Sequence, residues 1–148
     1  MIARLLDRLL APAPPELPAT DAALALAALM IRIGRADGHL AMAEIDRTEA
    51  ILRARLGLDA AAARALREQA ETLEAEAPDT HRFVRALKAA VPYDDRLGLI
   101  EALWSVALAD GARDADEDGL MRLIAPMLGV TDRDSALARQ RAAGQPKA

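Results

Sequence analysis

Four carboxylates in this chain fall into two matched pairs. Asp37, in Ala36-Asp37-Gly38, is followed seven positions later by Glu44. Asp110, in Ala109-Asp110-Gly111, is followed at the same spacing by Glu117. Acidic side chains brought together repel one another and hold their protons more tightly unless a cation or an arginine sits among them. An oxygen-only donor set suits a hard ion, Ca²⁺ or Mg²⁺. The chain has no cysteine and two histidines, His39 and His81, and these occupy unmatched positions. Zinc chemistry therefore has no support. A plainer explanation stands beside this one. Gly takes a positive φ, Asp bonds its own backbone, and Glu in the first turn of the next helix complements that helix's dipole.

Each pair sits in the same setting, with an apolar run before it, an apolar-periodic run after it, and a Gly stop. The stops are Leu56-Gly57-Leu58 and Leu128-Gly129-Val130. An offset of 73 aligns Leu26 with Leu99, Met30 with Leu103, Ile33 with Val106, and the two Asp-Gly pairs. One residue is then lost, and Ile51-Leu52 falls on Leu123-Ile124. The pattern is that of a duplicated helix–acidic turn–helix unit, and such repeats take precedence in reading a fold. Folded as a pseudo-twofold pair, the unit would bring both turns to one end of the domain. It would also let Asp37, Glu44, Asp110 and Glu117 converge.

The expected fold is all-α, a compact domain of about seven to eight helices. Residues 1–11 carry Ile2, Leu5, Leu6, Leu9 and Leu10 with Arg4, Asp7 and Arg8 opposite, the pattern of a short amphipathic helix. Such a helix either docks on its own core, since ten residues alone are marginal, or anchors a partner or a membrane. Pro12, Pro14, Pro15 and Pro18 then impose an extended linker. We place the boundaries at 1–18 for this helix and linker, 19–143 for the helical domain, and 144–148 for a flexible tail. Thr20 is a suitable N-cap for a helix to about Ala36 that is apolar on nearly all sides and so central. A second helix covers about Ala41 to Leu56, with Ile45, Thr48, Ile51, Leu52 and Leu56 inward. Asp59 caps a third, to about Ala77, whose Glu68, Glu71, Glu74 and Glu76 are read as a solvated face. A fourth runs from about Thr80 to Val91, and a fifth begins at Asp94 or Asp95 and ends near Ala109, with Trp104 in the core. A sixth spans about Asp116 to Leu128 and is distorted by Pro126. A last helix, capped by Thr131, reaches about Ala142.

Composition narrows the function. Apolar residues make up 53% of the 148 but aromatics only 2%, so the core must be Leu, Ile and Ala between close helices. A net charge of −4, with no basic run interleaved with aromatics, argues against nucleic acid. The longest uncharged apolar run, 22–31, is far short of a bilayer span, and no secretory signal pattern is present. The expectation is a cytoplasmic protein, at most peripheral at the inner membrane. One motif fails its own test. Asp114 to Gly119 matches the first half of an EF-hand loop, but Arg122 and Ala125 stand at its ninth and twelfth positions, where Ala125 replaces the bidentate Glu.

With these motifs the sequence resembles the tellurite-resistance TerB-like family over about Asp21 to Asp134. The residues that carry the resemblance are the apolar helix ending Ala36-Asp37-Gly38, Glu44, and Leu56-Gly57-Leu58. The later set is Ala107-Leu108-Ala109-Asp110-Gly111, Glu117 and Leu128-Gly129-Val130. The chain departs from the family's polar turn at His39-Leu40-Ala41-Met42, and its second copy is one residue shorter after the Glu. The resemblance implies an all-helical domain without established catalysis, with an acidic metal site at Asp37, Glu44, Asp110 and Glu117. It also implies an association with tellurite and other chemical or membrane stress, beside protein partners that include membrane-associated ones.

Three functions are compatible with these residues to different degrees. The first is a non-enzymatic stress-response module that binds a hard divalent cation between its repeats. The second is a metal-free helical scaffold whose acids only shape turns. The third is a hydrolase built on clustered carboxylates, which has no nucleophile motif and no phosphate-cradling Gly loop to support it.

Overall fold

A computed structural model describes residues 22–76, 79–109, 111 and 115–144. Thr20, Asp110, Asp114, the N-terminal helix and linker, and the tail from Gln145 lie outside the described residues. Among the described residues seven α-helices follow one another: α1 (Ala22–Gly34), α2 (Met42–Leu56), α3 (Ala60–Glu76), α4 (His81–Ala90), α5 (Arg96–Ala107), α6 (Ala115–Met127) and α7 (Asp132–Ala143). A 3₁₀ turn, Tyr93–Asp95, leads into α5, and no strand occurs among the described residues. The fold is all-α, as the composition requires.

The centre is built from α1 and α5. Residues Ala25 to Ile31 of α1 are buried without interruption, and α5 buries Leu99, Ile100 and Ala102 to Ala107. Neither helix has a solvent face of any width, which is why their sequences show little amphipathic contrast. The packing is reciprocal. α1 lies most extensively on α3, and α5 on α7; α1 touches α6 while α5 touches α2, and the two central helices meet each other. α4 stands outside this pattern and packs on α1 through Phe83, Val84 and Leu87.

Backbone hydrogen bonds repeat at fixed offsets. At the first turn the N–H groups of Arg35, Ala36 and Gly38 bond the carbonyls of Ile31, Ile33 and Arg35. Leu108, Ala109 and Gly111 bond Trp104, Val106 and Leu108, each 73 positions later. Gly38 and Gly111 both adopt positive φ, 91° and 76°, the conformation for which glycine is the ordinary choice. At the far ends of α2 and α6, Leu58 N–H bonds Arg53 and Val130 N–H bonds Ala125, now 72 apart. These are the six-to-one closures of a helix that stops at a left-handed glycine. The correspondence extends into the third helix of each half. Asp59 Oδ1 accepts from Ala62 N–H at 2.8 Å, and Thr131 Oγ1 accepts from Asp134 N–H at 3.1 Å. Both caps act as their residue types lead one to expect. Asp59 and Thr131 are again 72 apart.

Two expectations need correction. Glu68 and Glu76 are exposed, but Glu71 and Glu74 do not lie on a solvated face. Glu74 accepts from Arg32 at 3.2 Å and from Arg35 at 3.4 Å, and Glu71 accepts from Arg35 at 3.3 Å. Arg67 bonds Glu49 at 2.9 Å and also pairs with Glu71. Together these side chains tie α1, α2 and α3 in a chain of ion pairs. The second correction is Leu56, which is 39% exposed rather than inward.

Candidate functional site

The buried stripe of α2 begins with an acid. Glu44, Thr48 and Leu52 recur every four residues, so they share one helix face, and all three are fully buried. The same stripe on α6 is Glu117, Met121 and Ala125, with Glu117 2% exposed and the other two no more than 1%. Glu44 and Glu117 are the only acidic residues buried among the described ones. Each has one oxygen enclosed from solvent, Oε2 of Glu44 and Oε1 of Glu117. A charged carboxylate placed there loses its hydration and requires compensation by hydrogen bonds or a cation.

Local bonding accounts for part of the first site. Glu44 Oε1 accepts the Ala41 N–H at 3.0 Å, which satisfies one of the donors left over at the start of α2. Ala41 has no side-chain acceptor to return the bond, so only the glutamate half of a capping box operates here. Glu44 Oε2 faces the end of α1. A Cβ built on Gly34 would lie 3.3 Å from it and 2.6 Å from Leu40 Cδ1. Glycine at position 34 is thus what lets the carboxylate and the Leu40 side chain close over the helix end. Thr48 donates to the Glu44 carbonyl at 2.8 Å.

Asp37 is half-buried, and its Oδ1 accepts the His39 N–H at 2.9 Å. This is the Asx-turn that makes an aspartate serviceable after a helix C-terminus, where its charge would otherwise be opposed by the dipole. His39 itself is exposed. Asp110, the counterpart of Asp37, lies outside the described residues. No three His, Asp or Glu side chains among the described residues are grouped so as to hold a metal ion. Asp116 and Asp118 belong to the first turn of α6. A helix there is incompatible with the looped ligand run of an EF-hand, in agreement with the failed motif.

The sequence did not point to two other polar clusters. The Arg32 guanidinium lies 5.2 Å over the Phe83 ring, donates to Thr80 Oγ1 at 3.3 Å, and meets Glu74. Burial opposes the charge on Arg67, but hydrogen bonds and charge from Glu49 and Glu71 outweigh it and raise its pKa above the ordinary arginine value. In the other half, Trp104 is 6% exposed and donates through Nε1 to Ser135 Oγ at 3.0 Å, beneath the Arg139 guanidinium at 5.2 Å. A tryptophan inside a helix bundle finds a partner for its one polar atom, and here α7 supplies it. The only available signals were single residues, Arg67 and Ser135, with nothing in the local pattern to say what they would face.

No curated protein and no solved structure matches the chain in direct comparison. The sequence profile of the family described as tellurite resistance protein TerB matches residues 23–140, from the first turn of α1 to within α7. This span takes in both acidic turns, both buried glutamates and most of the last helix. The chain belongs to the TerB tellurite-resistance family.

Proposed function

We propose that this protein is a non-enzymatic TerB-like stress-response module that binds a hard divalent cation, Ca²⁺ or Mg²⁺, between two copies of one ancestral unit. One observation carries this reading. Glu44 and Glu117, the two acids at matched positions, are the two buried acids among the described residues. Burying a carboxyl group away from water is costly, and its occurrence at corresponding places in both halves favours a charge-dependent task. Repeated hydrogen bonds at offsets of 73 and 72, and the reciprocal packing of α1–α3 with α5–α7, support descent from a doubled unit. Asp37 and Asp110 complete the proposed oxygen set. No helix among the described residues is long and apolar enough to cross a membrane. The proposed partners are therefore other proteins, membrane-associated ones among them, met from outside the bilayer.

Thermal melting of the full chain with and without Ca²⁺ or Mg²⁺ tests the proposal. A bound ion raises the melting temperature in proportion to the logarithm of its concentration above Kd. The rise should disappear in Glu44→Gln plus Glu117→Gln, which keeps shape and removes charge. A wild-type chain indifferent to both ions at millimolar concentration removes the cation from the proposal.

The metal-free scaffold is the second reading. It is favoured by the Asx-turn at Asp37 and the backbone bond to Glu44, which give those oxygens structural work. Under that reading the Gln variants shift stability by the same amount whether or not either ion is present.

A further inference from the structure

We propose that the cleft beside Trp104, between α5, α6 and α7, is a binding site for a small organic carboxylate. This inference is independent of any cation. The cleft encloses about 560 Å³, within the range of small-molecule sites. Trp104 lines it from α5, Arg122 from α6 and Arg139 from α7. Ala125, Pro126 and Ala136 supply an apolar lining. The buried hydroxyl of Ser135 also lines it and accepts the indole N–H at 3.0 Å.

The first half of the molecule shows what Arg139 lacks. Arg139 stands 72 positions after Arg67, which is held by two carboxylates, Glu49 at 2.9 Å and Glu71 one turn further along α3. The counterpart of Glu71 is Ala143. The offset passes from 73 to 72 between Glu117 and Leu123, so Glu49 is answered by Met121 or by Arg122 itself. Among the described residues no carboxylate takes their place. Neither Arg122 nor Arg139 joins an ion pair there, and the Arg139 guanidinium lies 5.2 Å over the indole. Two acids line the cleft as well. Asp118 is already engaged, and Asp132 stands in the first turn of α7, where the helix dipole compensates its charge. The cleft thus gathers two arginines whose carboxylate partners in the other half are missing. A carboxylate from solution completes the arrangement, since a guanidinium takes that group in two parallel hydrogen bonds. Arg139 is half-buried, which strengthens such a pair over one in open water. The apolar body of the ligand then has Ala125, Pro126 and Ala136 to lie against.

Trp104 is the only tryptophan, so one indole N–H signal in the NMR spectrum of the full chain reports on the cleft. Benzoate should shift that signal saturably, with a Kd of about 1 mM or tighter. Benzamide has the same shape without the charge and should leave it in place. Ala143→Glu, at an exposed position, restores the carboxylate that the first half carries four residues after its arginine. It should weaken benzoate about tenfold or more by occupying Arg139 from within. Arg122→Glu and Arg139→Gln should weaken it likewise, with the amide signals of α2 and α3 unchanged as the sign of an intact fold. An indole signal indifferent to benzoate at about ten times the expected Kd overturns the proposal. So does an equal response to benzamide, because the cleft would then take the ring and not the carboxylate. Benzoate binding that is undiminished in both Ala143→Glu and Arg122→Glu also overturns it, since the arginines would then play no part.

Discussion

The described residues of the two acidic turns share their backbone hydrogen bonds and differ in their surroundings. Both close with the same three hydrogen bonds and a positive-φ glycine, and both lead into a helix whose buried face starts with glutamate. The helix that approaches each turn differs. In the first half, Gly34 leaves room for Glu44 Oε2 and Leu40; in the second, the position 73 residues on is Ala107, 3% exposed, and its methyl is accommodated. The flanks differ too. Arg32, Arg35 and Arg67 bind the first half together through glutamates, whereas Trp104, Ser135 and Arg139 hold the second. Position 67 corresponds to 139 at an offset of 72, so one arginine position serves an ion-pair network in one half and covers an indole in the other. Backbone geometry is thus preserved where the turn requires it, and side-chain chemistry varies where several packings satisfy the same space.

Core truncation should test the equivalence of the halves most severely. Leu52→Ala in α2 and Ile124→Ala in α6, both fully buried, should each cost about 2–5 kcal/mol in chemical denaturation. A loss at one site under half that at the other would show that α2 and α6 do not bear on the core alike. Next come the unlike braces. Arg67→Met should cost about 1–3 kcal/mol through lost charged hydrogen bonds. Trp104→Phe should cost about 1–2 kcal/mol, since the Ser135 bond goes and part of the ring volume with it. The raised pKa of Arg67 gives a further check with a definite sign. A group whose folded pKa lies above its unfolded one stabilises fully below the unfolded value and loses that contribution only as pH climbs through the folded one. The Arg67→Met penalty should therefore stay constant from neutral pH up to the ordinary arginine pKa, and shrink only beyond it.

Smaller effects separate the turns themselves. Gly34→Ala gains helix propensity of up to about 1 kcal/mol, but it forces Leu40 and Glu44 aside at a cost of about 1–3 kcal/mol. We expect a net loss of about 1 kcal/mol by thermal melting, and a net gain would show that Leu40 moves freely. Ala107→Gly loses both propensity and a buried methyl, so it should also destabilise, by about 1–2 kcal/mol. Asp37→Asn retains the acceptor for His39 N–H and should change stability in the absence of divalent ions by less than about 0.5 kcal/mol. A larger loss would mean that the charge of Asp37, and not its turn geometry, is what the first half depends on.

Periodicity and punctuation were enough to establish a good deal. The all-helical fold, the stops at Gly57 and Gly129, and the caps at Asp59 and Thr131 all follow from local rules. Each depends on residues within one or two turns of one another, and local chain geometry is what sequence spacing encodes. The paired Asp–Glu spacing also singled out Glu44 and Glu117. Only the tertiary structure decided that these two glutamates head buried stripes, that Glu71 and Glu74 face arginines of α1, and that α7 stands to α5 as α3 stands to α1. Those facts join residues about 30 to 40 positions apart, or depend on which helix face is covered. A glutamate on a helix reads the same in sequence whether water or a neighbouring helix lies over it.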